Sequence, residues 1–201
     1  MKIKSAVFEK SAPTLAQSPR WMLPEFAFIG RSNVGKSSLI NLLAERRDLA
    51  KASVTPGKTK LINFFRFNAN WCLVDLPGYG YAKVNKEERA DFNEAVADYI
   101  EQRDNLLHLF VLIDSRLTPQ RIDLEFLRWL AGVEVAFSLV FTKTDKHSQS
   151  VTQANISGFK AALADFLPEP PPVFATSAEK KNGRDELLAF IAAELARAQS
   201  G

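Results

Sequence analysis

Apolar residues in this chain fall into short continuous runs that alternate with longer stretches of helical spacing. Phe26-Ala27-Phe28-Ile29 is an apolar run that stops at Gly30, the pattern of a buried strand. Ser37 to Arg47 then carries Leu39, Ile40, Leu42 and Leu43 at helical spacing. Leu61 to Phe67 and Trp71 to Asp75 flank Asn68-Ala69-Asn70 and predict a β-hairpin. Lys86 to Arg103 is predicted helical, with Phe92, Ala95, Val96, Tyr99 and Ile100 on one face. Leu109 to Asp114 reads as a buried strand, and Pro119 to Leu130 as a helix with proline near its first turn. Val135 to Thr142 predicts a strand, Ser150 to Leu167 a helix, Val173 to Thr176 a strand, and Asn182 to Arg197 a last helix. A further strand is expected at Ile3 to Phe8.

Strand runs alternating with helices imply an α/β fold: a mostly parallel central sheet with helices on both faces. The hairpin should add one antiparallel strand at its edge. Residues 1–24, broken by Pro13, Pro19 and Pro24, read as an N-terminal extension with an edge strand, and residues 25–201 as one domain. In such sheets ligands bind at the carboxyl ends of strands, so the loops after Ile29, Val74, Val140 and Ala175 should hold the chemistry.

The loop after Ile29 is the most informative. Gly30-Arg31-Ser32-Asn33-Val34-Gly35-Lys36-Ser37 matches G-x4-G-K-[ST], after a strand and before a helix. Glycines let backbone N–H groups wrap phosphate oxygens, and the helix N-terminus adds its dipole. Lys36 should reach the β- and γ-phosphates, and the Ser37 hydroxyl should ligate Mg²⁺. A P-loop nucleoside triphosphatase fold follows.

Asp75-Leu76-Pro77-Gly78 ends a predicted strand, where an Asp can hold Mg²⁺ through water and a glycine N–H can approach a γ-phosphate. Thr142-Lys143-Thr144-Asp145 ends another. Its Asp can accept from guanine N1–H and the exocyclic amine, a donor pair that adenine lacks. The Lys143 stem can cover a base face. Backbone N–H groups of Thr176-Ser177-Ala178 could meet guanine O6. In Thr55-Pro56-Gly57-Lys58-Thr59 a threonine can complete Mg²⁺ coordination when γ-phosphate is present; Thr59 is preferred over Thr55.

These segments together resemble the Ras-like GTPases of the translation-factor class, in unpermuted order. Gly30 to Leu39, Thr55 to Thr59 with Leu61-Ile62-Asn63-Phe64-Phe65, and Asp75-Leu76-Pro77-Gly78-Tyr79-Gly80-Tyr81-Ala82 look like the EngB (YihA/YsxC) family, among the TrmE-Era-EngA-EngB-Septin-like GTPases. The likeness runs from about Val7 to Leu195. It implies GTP and GDP binding, slow Mg²⁺-dependent hydrolysis stimulated by a partner, and a switch role in assembling the large ribosomal subunit, with rRNA among its contacts. It also implies a part in normal cell division and septation. Carried over by motif, nucleotide contacts fall on Gly30, Arg31, Ser32, Asn33, Val34, Gly35, Lys36 and Ser37, on Gly57, Lys58, Thr59, Lys60 and Leu61, and on Asp75, Leu76, Pro77 and Gly78. They continue on Thr142, Lys143, Thr144 and Asp145 and on Thr176, Ser177 and Ala178. Magnesium falls on Ser37 and Thr59, and catalysis on Lys36, Thr59 and Gly78.

Two positions depart from the broader GTPase pattern. Thr142 stands where most relatives carry Asn, and its shorter hydroxyl is expected to reach the base edge and the P-loop less well. Tyr79 stands where many place a water-orienting Gln. A phenol cannot do that work, so slow intrinsic hydrolysis is expected. Related GTPases with Asn at the position of Asn33 bind K⁺ beside the phosphates, which makes K⁺ an expected activating ion. Arg31, the local alternative as an intrinsic arginine finger, is expected to face solvent.

Composition narrows the field further. With 46% hydrophobic residues, 24% charged and one cysteine in 201 residues, the chain can bury a core without disulfides or structural zinc. Cys72 lies in an apolar run and should be buried and inert. Trp21, Trp71 and Trp129 should be packing residues. No apolar run spans a membrane and no signal-peptide core develops before Glu9, so a cytoplasmic monomer without membrane contact is expected. The net charge is +3, but residues 46–66 carry six basic groups against Asp48 alone. That window is either a solvated face or a footprint for RNA or phosphates. Lys180, Lys181 and Arg184 read as a solvated helix flank that could touch RNA.

Two other readings stay open: a metabolic P-loop kinase, and a GTP-dependent scaffold acting on division machinery without ribosome binding.

Overall fold

The computed structural model describes residues 1–50, 61–79 and 86–200. Seven strands form one sheet: β1 (Ala6–Ala12), β2 (Glu25–Gly30), β3 (Ile62–Phe67), β4 (Trp71–Asp75), β5 (Leu106–Asp114), β6 (Phe137–Thr142) and β7 (Val173–Ala175). Five helices accompany them: α1 (Lys36–Ala44), α2 (Lys86–Gln102), α3 (Arg121–Leu130), α4 (Gln149–Leu163) and α5 (Arg184–Ser200). The strand order is β1-β3-β4-β2-β5-β6-β7. β4, β2, β5, β6 and β7 run parallel; β3 is antiparallel to both of its neighbours.

The sheet departs from expectation at its edge. β1 starts three residues later than predicted and runs on to Ala12, so it covers β3, and the antiparallel hairpin strand is interior. The hairpin supplies the reason. Asn68 and Ala69 both take positive φ (50° and 59°), which closes the tight turn. The Asn68 side chain then binds the chain before β1, accepting from Lys4 N at 2.7 Å and donating to Lys2 O at 2.8 Å.

β2 is buried along its whole length, so alternate side chains build two cores. Ala27 and Ile29 join Phe64, Val74, Tyr99, Val111, Phe141 and Phe159 in one. Phe26 and Phe28 join Leu39, Leu43, Trp71, Phe110, Leu188 and Ile191 in the other, under α1 and α5. Cys72 is fully buried, and burial pushes its thiol pKa up, as expected of an inert thiol.

Several helices stop short of their sequence patterns. α1 ends at Ala44 because Glu45 turns left-handed (φ 53°), and Arg184 then donates to the Leu42 and Leu43 carbonyls at 3.0 Å each. Arg184 is therefore a cap for another helix rather than a free cation. α4 is capped at its N-terminus by Ser148, whose side chain accepts from Val151 N, and ends four residues before Leu167. No helix among the described residues is long and apolar enough to cross a membrane.

Candidate functional site

Parallel pairing brings the ends of five strands, β2, β4, β5, β6 and β7, level. Gly30 lies opposite Leu112, Phe28 opposite Asp75, Asp114 opposite Thr142, and Phe141 opposite Ala175. The loops that leave β2, β4, β6 and β7 are those expected to carry the chemistry; the loop after β5 is not among them.

In the P-loop, Asn33 and Gly35 take positive φ (60° and 110°), which folds residues 31–35 back over the α1 N-terminus. Gly35 caps that helix. The first helical N–H groups, from Lys36 to Ser38, have no intrahelical acceptor and face the loop. Glycine is required at both tight contacts nearby. A Cβ on Gly78 would lie 2.4 Å from the Gly30 carbonyl oxygen, and one on Gly30 would lie 2.6 Å from the Leu112 carbonyl oxygen. The D-x-x-G turn therefore rests directly on the P-loop backbone.

Lys36 Nζ stands 3.8 Å from Asp75 Oδ1. That oxygen is buried with no hydrogen-bond partner. Burial raises the Asp75 pKa, while the Lys36 charge and a hydrogen bond from Asn63 oppose the rise. An orphaned carboxylate oxygen beside Lys36 suits a magnesium ion held partly through water. No cluster of three acidic or His/Cys ligands occurs among the described residues.

Thr142 corrects its expectation. Its buried hydroxyl donates to the Val34 carbonyl at 2.5 Å, with the Ile113 carbonyl at 3.2 Å. The shorter side chain thus does reach the P-loop, because β6 brings its end directly beneath Val34. Lys143 crosses above it, donating to the Asn33 carbonyl at 2.6 Å and to Asp114 Oδ2 at 2.8 Å. Burial raises the Asp114 pKa, but hydrogen bonds from Arg116 and Lys143 outweigh it and hold the group at about 2.

Asp145 accepts from Ser177 Oγ at 2.6 Å and pairs with Lys146 at 3.1 Å. The Ser177 hydrogen bond leads in holding its pKa below the usual carboxylate range, so it is an acceptor at neutral pH. Lys146 also pairs with Glu179. Gly35, Leu39, Thr142, Lys143, Asp145, Thr176 and Ala178 line a cleft of about 200 Å³. Thr176 N–H is already given to Phe141 O and Ser177 N–H to Asn182 O, leaving Ala178 as the residue of that trio free to face a ligand.

Tyr79 turns out of the site. Its hydroxyl donates to Asp123 Oδ1 on α3 at 2.9 Å, and its ring stacks on Phe126 with centroids 4.4 Å apart. Arg31 leans the same way, with Nη1 3.9 Å from Asp123 Oδ2, so it is half-covered rather than fully solvated. Asn33 is exposed. Among the tryptophans, Trp71 is core, Trp21 donates to Glu25 at 2.6 Å, and Trp129 is 36% exposed beside Phe126, short of the packing role expected of it.

Gly57, Lys58, Thr59 and Lys60, and Thr55 with them, lie outside the described residues; Leu61 is exposed, one residue before β3. Of the basic window, Arg46 donates to the Ala6 carbonyl and Arg66 pairs with Glu9, so two of its six cations hold β1 in place. Sequence reasoning passed over Asp114 and Asp123. Asp123 shares the buried stripe of α3 with Leu127 and Leu130, and a carboxylate on an apolar stripe was the available signal. Asp114 ends an apolar strand run just as Asp75 does.

Known proteins resemble this chain in sequence and in fold. A family model described as 50S ribosome-binding GTPase matches residues 25–143. Proteins named probable GTP-binding protein EngB from Phocaeicola vulgatus and Porphyromonas gingivalis are each 51% identical over 191 residues, covering 95% of this chain and 96% and 95% of their own. A crystal structure of a probable GTP-binding protein EngB superposes with a TM-score of 0.70 at 22% identity, over 86% of this chain and 99% of its own, and so shares the fold. By these matches the chain belongs to the EngB family of GTP-binding proteins.

Proposed function

We propose that this protein binds GTP and GDP through the cleft at the carboxyl ends of β2, β4, β6 and β7, hydrolyses GTP slowly, and acts as a nucleotide-dependent switch in large ribosomal subunit assembly. The observation that carries the nucleotide reading is the joining of two devices in one cleft. A phosphate-cradling helix N-terminus at Gly35 and a fixed carboxylate at Asp145 line the same space. Residues 25–201 would act as one nucleotide-binding unit.

Asp145 would accept from guanine, Lys143 would lie along the base, and Ala178 N–H would meet its O6. The Lys143 and Thr142 hydrogen bonds to Asn33 and Val34 tie the base-side loop to the P-loop. Ser37, with Thr59, would hold Mg²⁺, and Asp75 would reach it through water. When bound, the ion would neutralise charge on the β- and γ-phosphate oxygens. Lys36 would leave Asp75 for the phosphates, and Gly78 N–H would meet the γ-phosphate. With Tyr79 directed into α3, no side chain at that position orients water. This supports slow intrinsic hydrolysis that a partner raises. K⁺ as an activating ion rests on the resemblance to GTPases with Asn at the position of Asn33, and equal rates in K⁺ and Na⁺ would remove it.

The ribosomal and septation roles rest on family membership. The test is co-sedimentation with purified ribosomal subunits in GDP and in a non-hydrolysable GTP analogue. Pelleting with the large subunit in the analogue supports the switch. Absence of nucleotide-dependent pelleting, at low salt and with immature particles included, sinks a direct ribosomal role and favours a cytoplasmic scaffold on division machinery.

A further inference from the structure

Asp123 is a buried carboxylate, 2% exposed, on the apolar stripe of α3. A group of that kind is costly unless its partners are fixed. Its partners come from the two loops that flank a γ-phosphate. One oxygen accepts from Tyr79, the residue after Gly78, and the other faces Arg31, the residue after Gly30. Gly30 and Gly78 are the pair whose backbones touch. Phe126, one helical turn on from Asp123, holds the Tyr79 ring by stacking. Arg31 Nη1 is buried without a hydrogen-bond partner, so the guanidinium is steered to Asp123 by charge and remains short of a full bond.

We propose that Asp123 is a positioning residue for the γ-phosphate end of the site: through Tyr79 it fixes the Asp75–Gly78 turn against the P-loop before the third phosphate arrives. The inference rests on the nucleotide reading above. A donor held ready costs no ordering when the ligand arrives. GDP lacks the phosphate that Gly78 would meet, so the Asp123–Tyr79 bond contributes to triphosphate binding and leaves diphosphate binding alone. Tyr79 thereby has a function at a position where it cannot orient water.

The test measures affinities for GDP and for a non-hydrolysable GTP analogue in wild-type protein, Y79F, D123A, D123N and the Y79F/D123A double variant. Y79F keeps the stacked ring and loses only the hydroxyl, so it tests the bond even if D123A folds poorly. Y79F and D123A should each weaken analogue binding about fivefold to tenfold, with GDP changed less than about twofold. D123N keeps an acceptor oxygen for Tyr79 and should recover most of what D123A loses. The double variant should be no worse than D123A, because both remove the same bond. Equal shifts for both nucleotides, or additive effects in the double variant, would overturn the proposal. Wild-type protein that binds neither nucleotide would overturn the nucleotide reading, and this inference with it.

Discussion

Thr142→Val removes one hydroxyl and keeps the side-chain shape. In the folded protein that hydroxyl is 4% exposed with its residue and donates to the Val34 carbonyl at 2.5 Å. The Val34 carbonyl sits in the middle of the P-loop, between the positive-φ residues Asn33 and Gly35. Deleting the donor leaves a buried acceptor unmet, which costs about 1–3 kcal/mol. In a domain of this size that is a fall in Tm of roughly 3–10 °C. Part of the loss should reach the ligand, because the same bond holds the phosphate cradle; each 1.4 kcal/mol so transmitted is about tenfold in affinity. Thermal denaturation with and without GDP, together with titration by a fluorescent GDP, measures both. Thr142→Ser, which keeps the hydroxyl, should lose much less affinity than Thr142→Val. If Thr142→Val matches wild type in Tm and GDP affinity, the β6–P-loop tie contributes nothing and the argument is wrong.

Glu25 gathers Trp21, Tyr99 and a two-point Arg103 pair at the amino end of β2, with no solvent exposure. Glu25→Ala should therefore cost about 3–5 kcal/mol in denaturant unfolding, since it leaves the covered Arg103 guanidinium unpaired. The GDP affinity of the folded fraction should stay put, because Glu25 and Gly30 lie at opposite ends of the strand. His108 is buried between Phe110 and Phe190, bonded to Ser138 at 2.7 Å, and burial lowers its pKa from 6.5 to about 4. The unfolded chain then takes up the proton first as pH falls. Its contribution is fully present above about pH 6.5 and is lost progressively towards pH 4, on the order of 3 kcal/mol in all. Unfolding free energies across that window should fall less steeply in His108→Gln, and an identical slope would contradict the reasoning.

The sheet was legible because buried parallel strands write continuous apolar runs, and Phe26–Ile29 and Leu109–Asp114 are such runs. The hairpin was legible from Asn68-Ala69-Asn70. The β1 edge was legible as a strand near Ile3 to Phe8, but its bounds were not, because its exposed Val7, Phe8, Glu9 and Lys10 carry no clean alternation, and its register is set by Asn68 and a bulge between Phe8 and Lys10. The nucleotide loops could be read as motifs, since G-x4-G-K-S and T-K-x-D each fix a backbone task to a residue type. What the motifs could not carry was how the loops hold one another. The Thr142 bond to Val34, the Lys143 bridge to Asp114 and the Tyr79 turn towards Asp123 all join residues far apart in sequence. Spacing along one chain holds no record of such contacts. Thr142 shows the cost: side-chain length alone makes it too short for the P-loop, and the strand beneath it supplies the missing reach.

The central claim is that Asp145 reads guanine at the mouth of a phosphate cradle. Displacement of a fluorescent GDP by GDP, ADP and xanthosine diphosphate, from wild-type protein and Asp145→Asn, tests it most directly. Guanine should be preferred over adenine by at least about 100-fold in wild type, because adenine leaves the fixed carboxylate unmet. Asp145→Asn should weaken GDP about tenfold or more and strengthen xanthosine diphosphate, whose ring carries a carbonyl in place of the exocyclic amine. ADP displacing the probe as well as GDP does, or Asp145→Asn leaving the order of affinities unchanged, would contradict the account.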